Sequence, residues 1–202
     1  MSCHSCRSSK RTALKPGPDI VIALAGNANV GKSAIFNVLT GLHQHVGNWP
    51  GKTVERAEGS LVFKGYSIDV VDLPGIYSFS TFSIEELVSR EYIAFERPDV
   101  VINVVDASAL ERNLYFTLQL LELEVPLIMA LNLMDLARDK GIRINVDRLS
   151  ELLEIPVVPT IAIRGVGIDK LLEKAIEVLE GKVAKRSKAI SYGKEIEERI
   201  GR

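Results

Sequence analysis

Two hydrophobic periods alternate along this 202-residue chain. Nearly continuous apolar runs appear at Ile20-Val21-Ile22-Ala23-Leu24-Ala25, at Val100-Val101-Ile102-Asn103-Val104-Val105 and at Pro126-Leu127-Ile128-Met129-Ala130-Leu131. Runs of this kind mark strands buried on both faces of a parallel sheet. Strands are predicted over 19–25, 54–63, 66–72, 99–105, 126–131 and 156–159. The 54–63 run mixes polar and apolar positions and joins 66–72 through Lys64-Gly65, a hairpin signal, so it is predicted as the antiparallel edge strand. Helical periodicity covers 32–40, 83–95, 109–123, 146–154 and 167–180, with a short helical turn expected after Asp135. In 109–123, Leu110, Leu114, Leu118 and Leu121 form the stripe expected to lie on the sheet. The alternation predicts a three-layer α/β domain. Its sheet has six strands, mostly parallel with one antiparallel edge strand, packed with about five helices and carrying ligand loops at the strands' carboxyl ends.

The flanks have a different composition. Residues 1–18 are polar and basic (Arg7, Lys10, Arg11, Lys15) and close with Pro16-Gly17-Pro18, which predicts a disordered lead. Beyond Gly181 the chain is rich in lysine, and Ser191 to Ile200 is a helix candidate with nothing of its own to bury against. The expected division is therefore a lead (1–18), a ligand-binding domain (19–181) and the start of a helical module (182–202). A net charge of −1 creates no field that would attract nucleic acid. No stretch approaches eighteen consecutive apolar residues, and the basic N-terminus lacks the apolar run of a secretory signal. A soluble cytoplasmic chain is the expectation. Cys3, His4 and Cys6 form half of a metal site at most; reduced thiols in a tail are the plainer reading, and a metal or redox role would need ligands from elsewhere.

Chemistry enters at Gly26-Asn27-Ala28-Asn29-Val30-Gly31-Lys32-Ser33, which fits G-x-x-x-x-G-K-[ST] between a predicted strand and a predicted helix. Backbone N–H groups of such a loop, with the helix N-terminus that begins at Lys32-Ser33-Ala34, wrap the β-phosphate of a nucleotide. Lys32 is expected to reach the β- and γ-phosphates, and the Ser33 hydroxyl to ligate Mg²⁺. Asp72-Leu73-Pro74-Gly75 ends the 66–72 strand, where Asp72 can hold a water of Mg²⁺ and Gly75 can offer its N–H to a γ-phosphate. Asn132-Leu133-Met134-Asp135 ends the 126–131 strand, and a carboxylate there can accept from N1 and the exocyclic amine of guanine, which adenine cannot supply. Each short motif is weak alone. In this order, each at the end of an apolar run, they predict a P-loop GTPase fold that binds GTP and GDP.

Gly47-Asn48-Trp49-Pro50-Gly51-Lys52-Thr53-Val54-Glu55, together with Asp72-Leu73-Pro74-Gly75-Ile76-Tyr77-Ser78, resembles the cytoplasmic GTPase domain of FeoB-type ferrous iron transporters. Asp106-Ala107-Ser108-Ala109-Leu110-Glu111-Arg112-Asn113-Leu114 is also similar to that family, and the likeness covers roughly residues 19 to 180. It implies that a helical spacer, opening near Tyr192 to Ile200, and a polytopic membrane region follow this domain at the cytoplasmic face of the membrane. A homo-oligomer is compatible with it, and no nucleic-acid partner is expected. The resemblance makes Thr53, in the segment Gly51-Lys52-Thr53, the mobile threonine that ligates Mg²⁺ and senses the γ-phosphate. It makes Asn29 a ligand of K⁺, helped by carbonyls near Gly47 and Trp49. A cation there offsets the charge that an arginine finger offsets elsewhere.

Ile76 stands where Ras-like proteins keep a water-orienting glutamine, so intrinsic turnover is expected to be slow. Glu85 and Glu86 are alternative water-positioning groups, although first-turn helix carboxylates are common. Trp49 reads as a loop anchor, and His43 and His45 as surface histidines. Ala28 replaces a proline, and Leu133 replaces the lysine of N-K-x-D. Thr160-Ile161-Ala162-Ile163 lacks the usual serine, leaving the Ala162 N–H as the contact expected for guanine O6. These departures predict weak affinity and fast release without an exchange factor. Two other readings fit the residues: a GTP-dependent binding switch with little turnover, and a soluble ribosome- or tRNA-associated GTPase.

Overall fold

The computed structural model describes residues 20–41, 43–79 and 83–182. The lead with Cys3, His4 and Cys6 and the helix candidate at Ser191 to Ile200 lie outside the described residues. A single sheet runs in the order β2-β3-β4-β1-β5-β6-β7. Its strands are β1 (Ile20–Gly26), β2 (Gln44–Asn48), β3 (Glu55–Phe63), β4 (Tyr66–Asp72), β5 (Val100–Asp106), β6 (Leu127–Asn132) and β7 (Val157–Pro159). Pairing is parallel from β4 through β1, β5 and β6 to β7, and antiparallel for β2–β3 and β3–β4. Every residue of β6 is buried, the apolar run Leu127 to Leu131 and the polar Asn132 that ends the strand.

The sheet has seven strands where the hydrophobic pattern predicts six. The extra one is β2, a fully exposed edge strand of sequence Gln-His-Val-Gly-Asn. No periodicity betrays it, because it forms by completing the backbone ladder of β3 rather than by burying side chains. β3 is antiparallel as expected, but β2 displaces it from the edge.

Helices α1 (Lys32–Thr40), α2 (Ile84–Glu91), α3 (Leu110–Glu122), α4 (Met134–Asp139), α5 (Val146–Leu153) and α6 (Ile168–Leu179) cover the sheet. α1 and α6 share one core with Ile22, Leu24, Val104 and Ile128. On the other face, Val88 of α2, Phe116 and Leu120 of α3 and Ala137 of α4 pack with Ala23, Val101 and Met129. Ser83 caps α2 by accepting the Glu86 N–H at 3.1 Å. The predicted 83–95 helix is shorter than its pattern, since Tyr92–Glu96 form a π turn that ends at Arg97 with φ 47°. α4 begins at Met134, slightly earlier than the turn expected after Asp135.

Three leucines of the expected α3 stripe lie on the sheet: Leu121 is buried, and Leu110 and Leu114 pack partly buried against the same core. Phe116 is fully buried, whereas Leu118 is 42% exposed. Thr117 faces inward beside Phe116: its hydroxyl accepts from the Asn103 amide at 2.7 Å inside the core and donates to the Asn113 carbonyl at 3.2 Å. The bulky ring and this buried polar pair together outweigh one leucine.

Candidate functional site

β1 ends at Gly26 and α1 starts at Lys32, so the glycine loop spans the carboxyl end of the sheet's central strand. Asn29 sits at φ 64° and Gly31 at φ 83°, the left-handed region that Asn tolerates and Gly favours. Gly31 is also required for space: a Cβ there would collide with the Asn132 amide nitrogen. Asn27 is buried, with neither amide atom holding a hydrogen-bond partner. Asn29 and Ser33 are exposed, and Ala28 and Ala34 are half-buried.

The lysine of the loop is paired across strands. Lys32 Nζ donates to Asp72 Oδ1, and the two side chains are only 10% and 14% exposed. Burial pushes the Asp72 carboxyl above the ordinary carboxylate value, and the charge and hydrogen bond of Lys32 oppose that rise. After Asp72 the backbone stays against the loop. The Leu73 N–H donates to the Leu24 carbonyl at 3.0 Å, and the Ile76 N–H to the Gly26 carbonyl at 3.2 Å. A Cβ on Gly75 would lie 3.3 Å from Ala28 Cα, so the Asp72-Leu73-Pro74-Gly75 segment abuts the phosphate-type loop. Ile76 is buried in the core and offers no polar group at this position. Of the two alternative carboxylates, Glu86 accepts the Ser78 hydroxyl at 3.3 Å, while Glu85 is exposed.

Asn132 is the clamp of the site. Its amide nitrogen donates to the Val30 carbonyl at 2.9 Å. Its Oδ1 accepts the Thr160 hydroxyl at 3.2 Å and the Ala162 N–H at 3.0 Å. All three bonds are buried, so Asn132 ties the glycine loop to the 160–162 turn rather than facing outward. The Ala162 N–H expected to meet guanine O6 is engaged by Asn132 here, and that contact requires a change of partner. Asp135 remains available. Its Oδ1 accepts the Leu136 N–H at 3.0 Å, and the Arg164 guanidinium stands 4.0 Å from Oδ2. Arg164 carries no motif signal and is found only through the turn that follows Ala162. Leu133, at φ 60°, and Met134 lead into α4; the Met134 N–H donates to the Thr160 carbonyl at 3.5 Å, and the Ile161 N–H to the Val166 carbonyl at 3.0 Å.

The 51–53 segment lies in a turn whose flanks, Trp49 and Val54, share a core cluster with Leu73 and Ile76. Lys52 Nζ bonds Glu91 Oε2 at 2.6 Å, and Gly51 and Thr53 are exposed in the β2–β3 turn. Among the described residues no group of three or more His, Cys, Asp or Glu could hold a metal. Ser33, Thr53 and Asp72 are instead hard oxygen donors, one of them a carboxylate. That set suits Mg²⁺, which is commonly held through one or two carboxylates and completes its shell with other oxygens, phosphates and water.

A mostly parallel sheet that brings three loop segments to one end, with the lysine of the first held by the aspartate of the second, is the architecture of a P-loop GTPase-type domain. The family model of ferrous iron transport protein B, its N-terminal part, matches residues 20–175, and the chain belongs to that family. It is 45% identical over 194 residues to a Fe(2+) transport protein A/Fe(2+) transporter FeoB fusion protein of Porphyromonas gingivalis, covering 95% of this chain and 23% of that protein. It is 51% identical over 156 residues to the Fe(2+) transporter FeoB of Salmonella typhimurium, covering 75% of this chain and 20% of the relative. The chain thus spans about a fifth of the length of these curated relatives. A solved FeoB G-domain of Methanococcus jannaschii is 48% identical with TM-score 0.71, over 80% of this chain and 97% of that one. A GDP-bound NFeoB variant of S. thermophilus is 44% identical with TM-score 0.82, over 90% of this chain and 70% of that one. Among the described residues no helix is long and apolar enough to cross a membrane.

Proposed function

We propose that this chain binds GTP and GDP, hydrolyses GTP to GDP and phosphate, and thereby regulates or energises ferrous iron transport by a membrane region joined to it through a helical spacer. The observation that carries the reading is the buried Lys32–Asp72 pair at the mouth of the glycine loop. A cation held there by a single carboxylate is primed to exchange partners: phosphate oxygens replace Asp72 on Lys32 and release the carboxylate. The backbone N–H groups of the 26–34 loop bind the phosphates, Gly75 offers its N–H to the γ-phosphate, and Asp135 reads guanine. Ser33, Thr53 and Asp72 would hold Mg²⁺, which would neutralise charge that develops on the phosphates. Asn29, exposed and held at φ 64°, would contribute its side-chain oxygen to K⁺, which would add to that neutralisation.

With Ile76 buried, no side chain of residues 73–76 carries a polar group that could orient water. Slow intrinsic turnover follows. The same observation favours the second reading, a binding switch that relies on a partner for catalysis.

Titration with fluorescent GDP and fluorescent ADP tests the reading. Saturable GDP binding displaced by GTP and not by ATP is expected. Failure of GDP to bind, or equal binding of ADP, would overturn it.

A further inference from the structure

The β2–β3 hairpin closes through the turn at 49–54, which carries Thr53. Within the turn, the Trp49 N–H donates to the Val54 carbonyl at 2.9 Å and the Lys52 N–H to the Trp49 carbonyl at 3.0 Å. From outside, the end of α2 and the π turn that follows it hold the turn in place. Trp49, only 8% exposed, meets Tyr92 edge to face with ring centroids 5.3 Å apart and planes at 69°. Lys52 bonds Glu91 at 2.6 Å. Arg56 of β3 covers the indole at 4.7 Å. A cavity of about 300 Å³ remains between turn and helix, lined by Trp49, Lys52, Val88 and Phe95 among others. In this arrangement Thr53 is exposed, Gly47 is held in the ladder opposite Arg56, and the Trp49 carbonyl is occupied by its own turn.

We propose that Glu91 and Tyr92 are positioning residues that park the 49–54 turn on α2, and that release of this latch accompanies loading of the triphosphate. The inference rests on the nucleotide reading above. A γ-phosphate that recruits Thr53 has to draw the turn away from α2. The Trp49–Tyr92 and Lys52–Glu91 interactions are broken in that movement, so they weaken triphosphate binding relative to diphosphate binding. α2 follows the Asp72–Gly75 segment in the chain. The latch therefore also links the two segments that border the γ-phosphate.

Trp49 is the single tryptophan of the chain, so its emission reports the latch directly. The test compares wild type, Glu91→Gln and Tyr92→Leu by calorimetric titration with GDP and with a non-hydrolysable GTP analogue, recording tryptophan emission in each state. The expected result is a red shift of Trp49 with the analogue and none with GDP. Glu91→Gln should raise the analogue-to-GDP affinity ratio about two- to fivefold, as loss of a partly exposed ion pair implies. Tyr92→Leu should raise it by up to about tenfold, as loss of an aromatic pair implies. Unchanged ratios in both variants with GDP binding intact, or identical emission with the two nucleotides, would overturn the latch alone. Loss of GDP binding by the wild type would overturn the nucleotide reading and the latch with it. Glu91 is 45% exposed, so its variant folds even if Tyr92→Leu does not.

Discussion

Asn132→Ala separates two roles for the first residue of the Asn-x-x-Asp motif. If the side chain served only to face a base, its removal would leave the nucleotide-free protein as stable as before and weaken guanine binding. The geometry indicates otherwise. Three buried hydrogen bonds end on this amide, from Thr160 and Ala162 and to Val30. The truncation leaves the Val30 carbonyl, the Thr160 hydroxyl and the Ala162 N–H without their partner. At about 1 kcal/mol for each bond the loss is about 3 kcal/mol, with more if the orphaned groups stay dry. For a domain of this size that lowers Tm by roughly 6–12 °C. Thermal unfolding followed by far-UV circular dichroism, without nucleotide, measures it. A Tm within about 2 °C of wild type would refute the clamp, since a shift that small corresponds to less than about 1 kcal/mol. The clamp also predicts a coupled effect. Freed from Asn132, the 160–162 turn and the glycine loop no longer share an anchor, so GDP affinity falls together with stability.

Phe116→Ala should cost about 3–5 kcal/mol and Leu118→Ala under about 0.5 kcal/mol in denaturant unfolding, because the first side chain is buried and the second is not. Lys32→Ala should weaken GTP binding about ten- to hundredfold, the worth of a charged hydrogen bond, in a competition titration. The same variant strips Asp72 of both influences that lower its pKa. A carboxyl raised in the folded state costs stability once it ionises, so the variant's deficit should grow as pH rises above 3.8. Asp69, raised by burial and by the neighbouring charge of Glu58, follows the same sign. Asp69→Asn should melt slightly higher than wild type at pH 7, and the gain should shrink as pH is lowered toward 3.8.

Legibility in the sequence tracks how far each feature depends on side-chain burial. β1, β5 and β6 announce themselves because both faces are buried and nearly every position is apolar. β2 is silent, since Gln44 to Asn48 bury nothing and the strand exists through main-chain pairing alone. The buried face of α3 is harder to read, because a leucine count cannot weigh Phe116 or the Asn103–Thr117 bond. At the proposed site, spacing singles out Lys32 and Asp72, which the structure pairs, and Asp135 as the candidate base reader. What Asn132 does depends on residues 102 and 28 to 30 positions away, beyond the reach of any local pattern. The seat of Trp49 on Tyr92 likewise joins segments that share no motif.

The central claim is that these loops form a cation-assisted GTP hydrolase. Phosphate release from GTP, with Mg²⁺ and in matched KCl and NaCl buffers, tests it most directly, with Asn29→Ala alongside. The predicted result is slow release from GTP and not from ATP, faster in KCl, with the potassium advantage lost in the variant. Rates equal in both salts and no higher than those of Lys32→Ala would contradict it.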